Sequence, residues 1–322
     1  MSLLSIRDLS VTIAGSTGDV AALSGVRLDI EPGTVVGLVG ESGGGKSMLA
    51  RSVVGLLPHT ASATGQVLFE GDDVLAMTGD RLRRHRGAGA AMCFQQPLLA
   101  LNPVRRVGDQ LVDRLVAHGG AARRAARARA VELLGQVGIR EPERRFRAYP
   151  HEMSGGMAQR VMIALALACG PRLLLADEPT TGLDVTLAGE MLALFRREAT
   201  ENGRAVLLIS HDIAGIAAVC DRLAVLYAGT LVEHGPAAEV LDAPRHPYTR
   251  GLLAAVPSLH GDPGQPMRGG QPMLGAAPQS CPFEPRCPSG EAECGRRRPA
   301  LVEIGPAHLA ACPVTAREEA RG

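Results

Sequence analysis

Residues 40–47 read GESGGGKS, which fits a G-x4-G-K-[ST] pattern. Gly43, Gly44 and Gly45 keep side chains out of the way, so their backbone N–H groups and that of Lys46 can converge on one anion. The Lys46 ammonium can then reach the β- and γ-phosphates of a nucleoside triphosphate, and the Ser47 hydroxyl can ligate Mg2+. Of the 34 basic residues in the chain, Lys46 is the one lysine. A coding bias toward arginine explains the depletion of lysine but not this survivor, whose work is expected to be one that arginine cannot do.

A second set of reactive groups follows the run LLLADEP at 173–179. Asp177, at the end of a buried strand, can hold Mg2+ directly or through its water. Glu178 points elsewhere and can polarise an attacking water. Many strands end in acids, so this run gains meaning only beside the 40–47 loop. Ser154, Gly155 and Gly156 open the helical stretch MAQRVMIALALA. A helix N-terminus attracts anions, but an ordinary serine N-cap accounts for the same residues and is the favoured reading of them in isolation. His211 directly follows VLLIS, at the carboxyl end of a strand and near the expected γ-phosphate.

The elements that must carry these groups are legible around them. Residues 3–13 alternate as a strand, with Leu9, Val11 and Ile13 on one face. TVVGLV at 34–39, RLLLAD at 172–177 and RAVLLIS at 204–210 are short apolar runs typical of buried parallel strands. The 40–47 loop leads into KSMLARSVVGLL, a helix expected to end at Pro58. Apolar strands separated by helical patterns imply an α/β core of three layers. Between about 98 and 152 the pattern turns helical without strands, and AARRAARARAVELLGQVGI within it predicts an Arg-rich helix. With no interleaved aromatics and a net charge of +1, these arginines read as a solvated helix face, and no nucleic-acid partner is expected.

The 322 residues suffice for one large or two medium domains, and 2% aromatics with no Trp require an aliphatic core. MSLLSIRDLS lacks the basic flank and apolar run of a signal peptide, and VMIALALAC at 161–169 is too short to span a bilayer. A cytosolic chain with reduced thiols is therefore expected.

Taken in order, these pieces resemble the nucleotide-binding subunits of ABC transporters over roughly residues 1–260. GESGGGKS is similar to the Walker A loop, Gln95 in FQQP to the Q-loop, MSGGM to the ABC signature, LLLADE to Walker B, TTGLD with Asp184 to the D-loop, and His211 to the switch histidine. The resemblance implies a P-loop NTPase fold of the ABC ATPase type, with a RecA-like core, an antiparallel β subdomain and a helical subdomain (about 98–170). It implies ATP and Mg2+ as ligands, with Ile13, Gly40, Glu41, Ser42, Gly43, Gly44, Gly45, Lys46, Ser47, Met48, Gln95 and Asp177 around the nucleotide. Ser47, Gln95 and Asp177 would attend the Mg2+. Glu178 would be the general base, with His211 and Lys46 beside it. Ser154, Gly155, Gly156 and Met157 would act in trans on the γ-phosphate of a partner subunit, in a head-to-tail pair.

LNPV at 101–104, YPHEMSGGMAQRVMIALALA at 149–168 and HPYTRGLLAAVPSL at 246–259 resemble the oligopeptide, dipeptide and nickel importers, and the methionine of SGGM resembles their D-type ATPase. That resemblance implies an F-type ATPase partner, two membrane permeases, an extracytoplasmic substrate-binding protein and a place on the cytoplasmic face of the membrane. Short peptides are the expected cargo, with nickel or another chelated metal as the alternative. A soluble non-transport ABC ATPase and a small-molecule kinase are the competing classes. The first usually carries two ATPase units or a long coiled coil, and the second lacks the signature and D-loop. Departures from the family pattern are few. Ile13 stands where an aromatic usually stacks on adenine, a loss on the order of 1 kcal/mol. Met153 replaces the signature leucine, Gln96 replaces an acid, and Gly44 replaces a serine. None removes a catalytic group.

The division expected from these readings is an ATPase domain at 1–257 and an extension at 258–322. PSLHGDPGQPMRGGQPMLGAAPQ, after residue 256, reads as a linker. Cys93, Cys169 and Cys220 read as small core residues. Cys281, Cys287, Cys294 and Cys312, with gaps of five, six and seventeen residues, lie in a Pro/Gly-rich stretch that needs another source of order. The gaps are wider than those of most zinc sites, and similar tails in this family are associated with iron–sulphur clusters. A [4Fe–4S] cluster is expected, with tetrahedral zinc or no metal as alternatives. His308 is expected to be structural, and the extension to be an appendix outside the catalytic core.

Overall fold

The computed structural model describes residues 2–16, 18–120, 122–256, 267–270, 275 and 277–319. The expected linker therefore lies mostly outside the described residues. In chain order the strands are β1 Leu4–Ile13, β2 Val20–Ile30, β3 Val35–Val39, β4 Ala61–Phe69, β5 Asp72–Asp73, β6 Ala90–Cys93, β7 Leu173–Asp177, β8 Ala205–Ser210, β9 Arg222–Tyr227, β10 Thr230–Pro236, β11 Val302–Gly305 and β12 His308–Ala310. They form a four-stranded antiparallel sheet in the order β2-β1-β4-β5 and an eight-stranded sheet in the order β11-β12-β10-β9-β3-β8-β7-β6. Within the larger sheet β9, β3, β8, β7 and β6 run parallel, and β10, β12 and β11 add an antiparallel edge.

Every residue of β3, β7 and β8 is buried, as parallel strands covered on both faces must be. Alternate residues feed two cores. Val35, Val39, Leu174, Ala176, Val206 and Leu208 pack with the helical part of the chain. Val36, Leu38, Leu173, Leu175, Leu207 and Ile209 pack with the antiparallel sheet and with Leu49, Ala50 and Val53 of the Lys46–Val53 helix. Burial of each such Leu, Ile or Val contributes about 1.5–3 kcal/mol. In β1 the apolar phase slips at Asp8 (φ 49°), so that Leu4 and Ile6 before it and Leu9 and Val11 after it all face inward.

Between Cys93 and Leu173 the described residues form helices and turns without strands, as expected. The Arg-rich segment is the Arg123–Gln136 helix. It buries Ala126, Ala130, Leu133 and Leu134 at helical spacing and leaves Arg123, Arg124 and Arg127 exposed. The helix after the 40–47 loop is shorter than expected. It stops at Val53, because Gly55 takes a left-handed conformation (φ 65°) and the Leu56 N–H turns back to Arg51 O at 2.7 Å.

The C-terminal segment departs from the expectation of a separate appendix. β12 pairs with β10 through Glu233↔Ala310 and His234↔Leu309, which covers an otherwise open sheet edge. Cys281, Phe283 and Cys294 belong to the same buried core as β3 and β8. A segment with few apolar residues orders itself here by borrowing a sheet edge and a core that already exist. No helix among the described residues is long and apolar enough to cross a membrane.

Candidate functional site

β3, β7 and β8 are neighbours, and their carboxyl ends open at one place in the sheet, where α/β folds bind ligands. β3 delivers the 40–47 loop, β7 delivers Asp177 and Glu178, and β8 delivers His211. The loop sits close to other backbone. At Gly40 (φ 153°) a Cβ would stand 2.1 Å from Leu226 O, and at Gly45 (φ 100°) 2.5 Å from Ala22 O. No side chain fits at either position, so the spacing of glycines in the sequence follows from the crowding of the loop.

Lys46 is 6% exposed. Its Nζ donates to Gly40 O at 2.8 Å and Glu41 O at 3.0 Å, folding the loop around its own ammonium. Burial pushes its pKa down, and the charges of Glu178, Asp177 and Glu41 oppose that shift. Asp177 is 6% exposed. Burial first, and then the charge of Glu178, push its carboxyl up, while a hydrogen bond with Ser47 and the charges of Lys46 and Arg51 pull it down. Its Oδ1 is buried with no hydrogen-bond partner. An orphaned carboxylate oxygen beside the Ser47 hydroxyl is the donor set that a hard divalent cation such as Mg2+ takes.

Glu178 adopts a left-handed backbone (φ 53°) with its N–H bonded to Ile209 O at 2.9 Å. This turns its side chain off the strand axis. Its Oε2 accepts from Thr181 Oγ1 at 3.0 Å and lies 2.7 Å from His211 Nδ1. The Glu178 side chain is 10% exposed and that of His211 is 58% exposed. The pair thus joins a shielded carboxylate to an imidazole at the surface.

Ser42 and Gly43 are exposed, Gly44 is buried, and Ser47 and Met48 are half-buried along the helix that the loop begins. Ile13 ends β1, paired with Val20 of β2 and Ala61 of β4, and β2 is the strand whose Ala22 O abuts Gly45. Gln95 is exposed just beyond β6. Ser154 is the N-cap of the Gly155–Leu167 helix, its Oγ accepting from Met157 N–H at 3.3 Å. Ser154 and Gly155 face solvent, while Gly156 lies against Leu187 and Leu183. Asp184 is likewise an N-cap, accepting from Leu187 N–H at 2.9 Å. Both segments are held by their own caps and neighbours and keep an outward face.

Three residues that sequence reasoning left without a role meet this site. Thr181 supports Glu178. Tyr248 Oη accepts the Glu41 N–H at 2.8 Å. Arg286 donates to both oxygens of the Glu41 carboxylate at 2.9 and 3.0 Å. Tyr248 is one of only three tyrosines in the chain, a rarity that could have drawn attention to it. Nothing distinguished Arg286 from the other arginines.

Cys93 is fully buried, and burial pushes its thiol up to about 12. Cys281, Cys287, Cys294 and Cys312 line one small cavity together with His246 and Phe283. Burial, reinforced by Cys294 and Cys287, pushes the Cys281 thiol up to about 11. Among the described residues, no group of three or more His, Cys, Asp or Glu side chains is gathered closely enough to hold a metal ion. His308 is not among the residues lining that cavity, and its Nε2 lies 2.8 Å from Glu233 Oε1 and its Nδ1 3.4 Å from Glu239 Oε2.

Residues 23–181 match the ABC transporter family, and residues 232–294 match the family described as oligopeptide/dipeptide transporter, C-terminal region. The chain is 46% identical, over 94% of its length and 93% of the relative, to the probable D,D-dipeptide transport ATP-binding protein DdpD of Escherichia coli (strain K12). It is 42% identical, over 96% of its length and 94% of the relative, to the dipeptide transport ATP-binding protein DppD of Bacillus subtilis (strain 168). Among solved structures it is similar to the ATP-binding cassette MJ0796, seen as a dimer in a post-hydrolysis state bound to ADP and Pi. That likeness has a TM-score of 0.66 at 28% identity, covering 73% of this chain and 98% of the other.

Proposed function

This chain belongs to the ABC transporter family of ATP-binding proteins, and on that premise we propose that it is the ATP-hydrolysing subunit of an importer for short peptides. The observation that carries the ATPase reading is the meeting of Lys46, the orphaned Asp177 oxygen and the Glu178–His211 pair at the ends of three adjacent strands. The peptide reading is supported by the match of residues 232–294 and by the transport roles named for the relatives. Residues 1–257 form the ATPase domain and 258–322 its extension.

The triphosphate lies along the 40–47 loop, with Ile13 against the adenine. Lys46 moves its Nζ from Gly40 O and Glu41 O to the phosphate oxygens. Ser47, Asp177 and Gln95 would hold Mg2+, which neutralises charge on the β- and γ-phosphates when bound. Glu178 takes a proton from water as that water's oxygen bonds to the γ-phosphorus. The bond from phosphorus to the β–γ bridging oxygen breaks, and ADP and phosphate form. His211, which faces Glu178 in this structure, turns its exposed ring to the γ-phosphate and the attacking water.

The exposed Ser154 and Gly155, with Gly156 and Met157, face the γ-phosphate on a second ATPase subunit, an F-type partner, and Asp184 stands at the same seam. Gln95 and the exposed Leu98 and Leu99 beyond it face one of two permeases at the cytoplasmic side of the membrane. An extracytoplasmic binding protein delivers the peptide to the permeases. We further propose that Cys281, Cys287, Cys294 and Cys312 hold a [4Fe–4S] cluster, with zinc as the alternative. The four cysteines line one cavity, which supports this, and ligation requires them to close inward from the positions they hold here.

Cells lacking this chain, or carrying Glu178→Gln, are expected to lose uptake of radiolabelled di- and tripeptides while free amino-acid uptake is unchanged. Undiminished peptide uptake together with lost nickel uptake would replace the peptide reading by the metal one. Loss of neither would point to a non-transport ATPase.

A further inference from the structure

We propose that Arg286 is a positioning residue for the phosphate-binding loop: carried by the cysteine-bearing C-terminal segment, it fixes and neutralises Glu41 and thereby sets nucleotide affinity. The inference rests on the reading that residues 40–47 hold ATP, and adds to it that the site is incomplete without the extension.

Glu41 is the second residue of the loop and is gripped at three points. Its N–H is donated to Tyr248 Oη at 2.8 Å. Its carbonyl accepts from Lys46 Nζ at 3.0 Å and from Gly44 N–H at 3.2 Å. Its carboxylate takes the fork of Arg286, at 2.9 and 3.0 Å. The next residues, Ser42 and Gly43, are exposed. A loop with four glycines has little stiffness of its own, so Glu41 is where the protein fastens it.

The pair is shielded, with 8% of the Arg286 side chain and 16% of that of Glu41 exposed. The guanidinium centre lies 5.8 Å from the Tyr227 ring and 5.9 Å from the Phe283 ring, and Nη1 also donates to Tyr227 Oη at 3.3 Å. Bidentate geometry beside two aromatic rings suits arginine and not lysine. Without Arg286 a bare carboxylate would stand in a loop that must receive a polyanion.

The placement of Arg286 is set within the cysteine segment. It ends the turn Glu284–Arg286, between Cys281 and Cys287. Its N–H bonds Phe283 O at 3.0 Å, the Cys287 N–H bonds Glu284 O at 3.1 Å, and its Nε donates to Arg268 O at 2.9 Å. Further along, Arg298 donates to Ser24 O, and the Gly275 carbonyl accepts from Ala21 N–H at 2.7 Å, so the extension also touches β2 beside the loop.

The test is ATP titration and steady-state ATPase kinetics on the full chain with its partner subunits, using Arg286→Ala, Arg286→Lys, Glu41→Gln and the double variant. In Arg286→Ala the Kd and KM for ATP should rise about tenfold, the size of one uncompensated charge a few ångströms from the phosphates in a partly wet site, with kcat at saturation little changed. The increase should shrink at high salt. Arg286→Lys, which keeps the charge but not the fork, should recover only part of the affinity. In the Glu41→Gln background, Arg286→Ala should cost little, because no bare charge remains. If Arg286 only tacks the extension down, Arg286→Ala will lower the melting temperature while Kd stays at the wild-type value, and the inference fails. An equal loss of affinity with and without Glu41 overturns it too. Should Arg286→Ala not fold, Arg286→Gln, which keeps much of the side chain's packing without its charge, carries the same comparison. Wild-type protein that binds no ATP would instead overturn the reading of the loop itself.

Discussion

His211 Nδ1 stands 2.7 Å from Glu178 Oε2. The imidazole is mostly exposed and the carboxylate is shielded, so the group proposed as base is engaged by a partner that is free to turn away. Thr181 holds the same oxygen from the chain side. The base is thus held from two sides, by Thr181 within its own loop and by His211 at the end of β8.

Glu178→Gln should lower ATP turnover by about 10²- to 10⁴-fold, the usual contribution of a general base. Glutamine keeps the shape and can still accept from Thr181, so ATP affinity should remain within a few-fold of wild type. Phosphate release and nucleotide titration on the assembled ATPase pair check the two halves. Wild-type turnover would remove Glu178 from the role.

Anaerobically purified protein should show a broad visible absorption and bound iron, both lost in Cys294→Ser. Cys294 is 5% exposed and its carbonyl accepts the Cys281 N–H at 2.9 Å, so the change also tests whether the segment stays folded. Colourless protein with one zinc would favour the alternative, and metal-free protein with intact stability would end the proposal.

Stability should fall on mild acidification. Burial pushes the pKa of His246 down to about 4 and that of His234 down to about 3. In the unfolded chain both titrate near 6.5, so protons bind the unfolded state first. The full stabilisation is present above about pH 6.5 and is lost progressively as pH drops toward about 4, by roughly 2 kcal/mol over the first one and a half units for His246 alone. Glu233, held below the usual carboxylate range by His308, Thr249 and two backbone N–H groups despite its burial, adds to the loss at the acid end. Urea unfolding at about pH 7 and about pH 5 measures the difference, and equal midpoints would contradict it.

Much of this molecule was legible because its signals are local. The glycines at 40, 43, 44 and 45 record a backbone path in a few consecutive residues. The buried strands that carry Asp177 and His211 are short apolar runs whose ends mark the site. The apolar pattern predicts a helix one turn longer than the one observed, because it continues past Gly55 while the helical backbone does not. The C-terminal segment differs from the appendix its composition predicts for a related reason. Its composition says that it cannot build a core, and says nothing of a core and a sheet edge supplied by the rest of the chain.

The sequence by itself determined the parallel core, the phosphate-binding loop and the identity of the groups that meet at the strand ends, since each is written in contiguous residues whose spacing fixes the local geometry. Only the tertiary structure decided that Glu178 is paired with His211, that Asp177 keeps an unpartnered oxygen beside Ser47, and that Glu41 is clasped by Tyr248 and Arg286. The last two partners lie 207 and 245 residues further along the chain. An ion pair across that distance leaves no period or spacing to read. It exists because Phe283 packs against Tyr227 and Tyr248, which seats the Cys281–Cys287 turn at the mouth of β3.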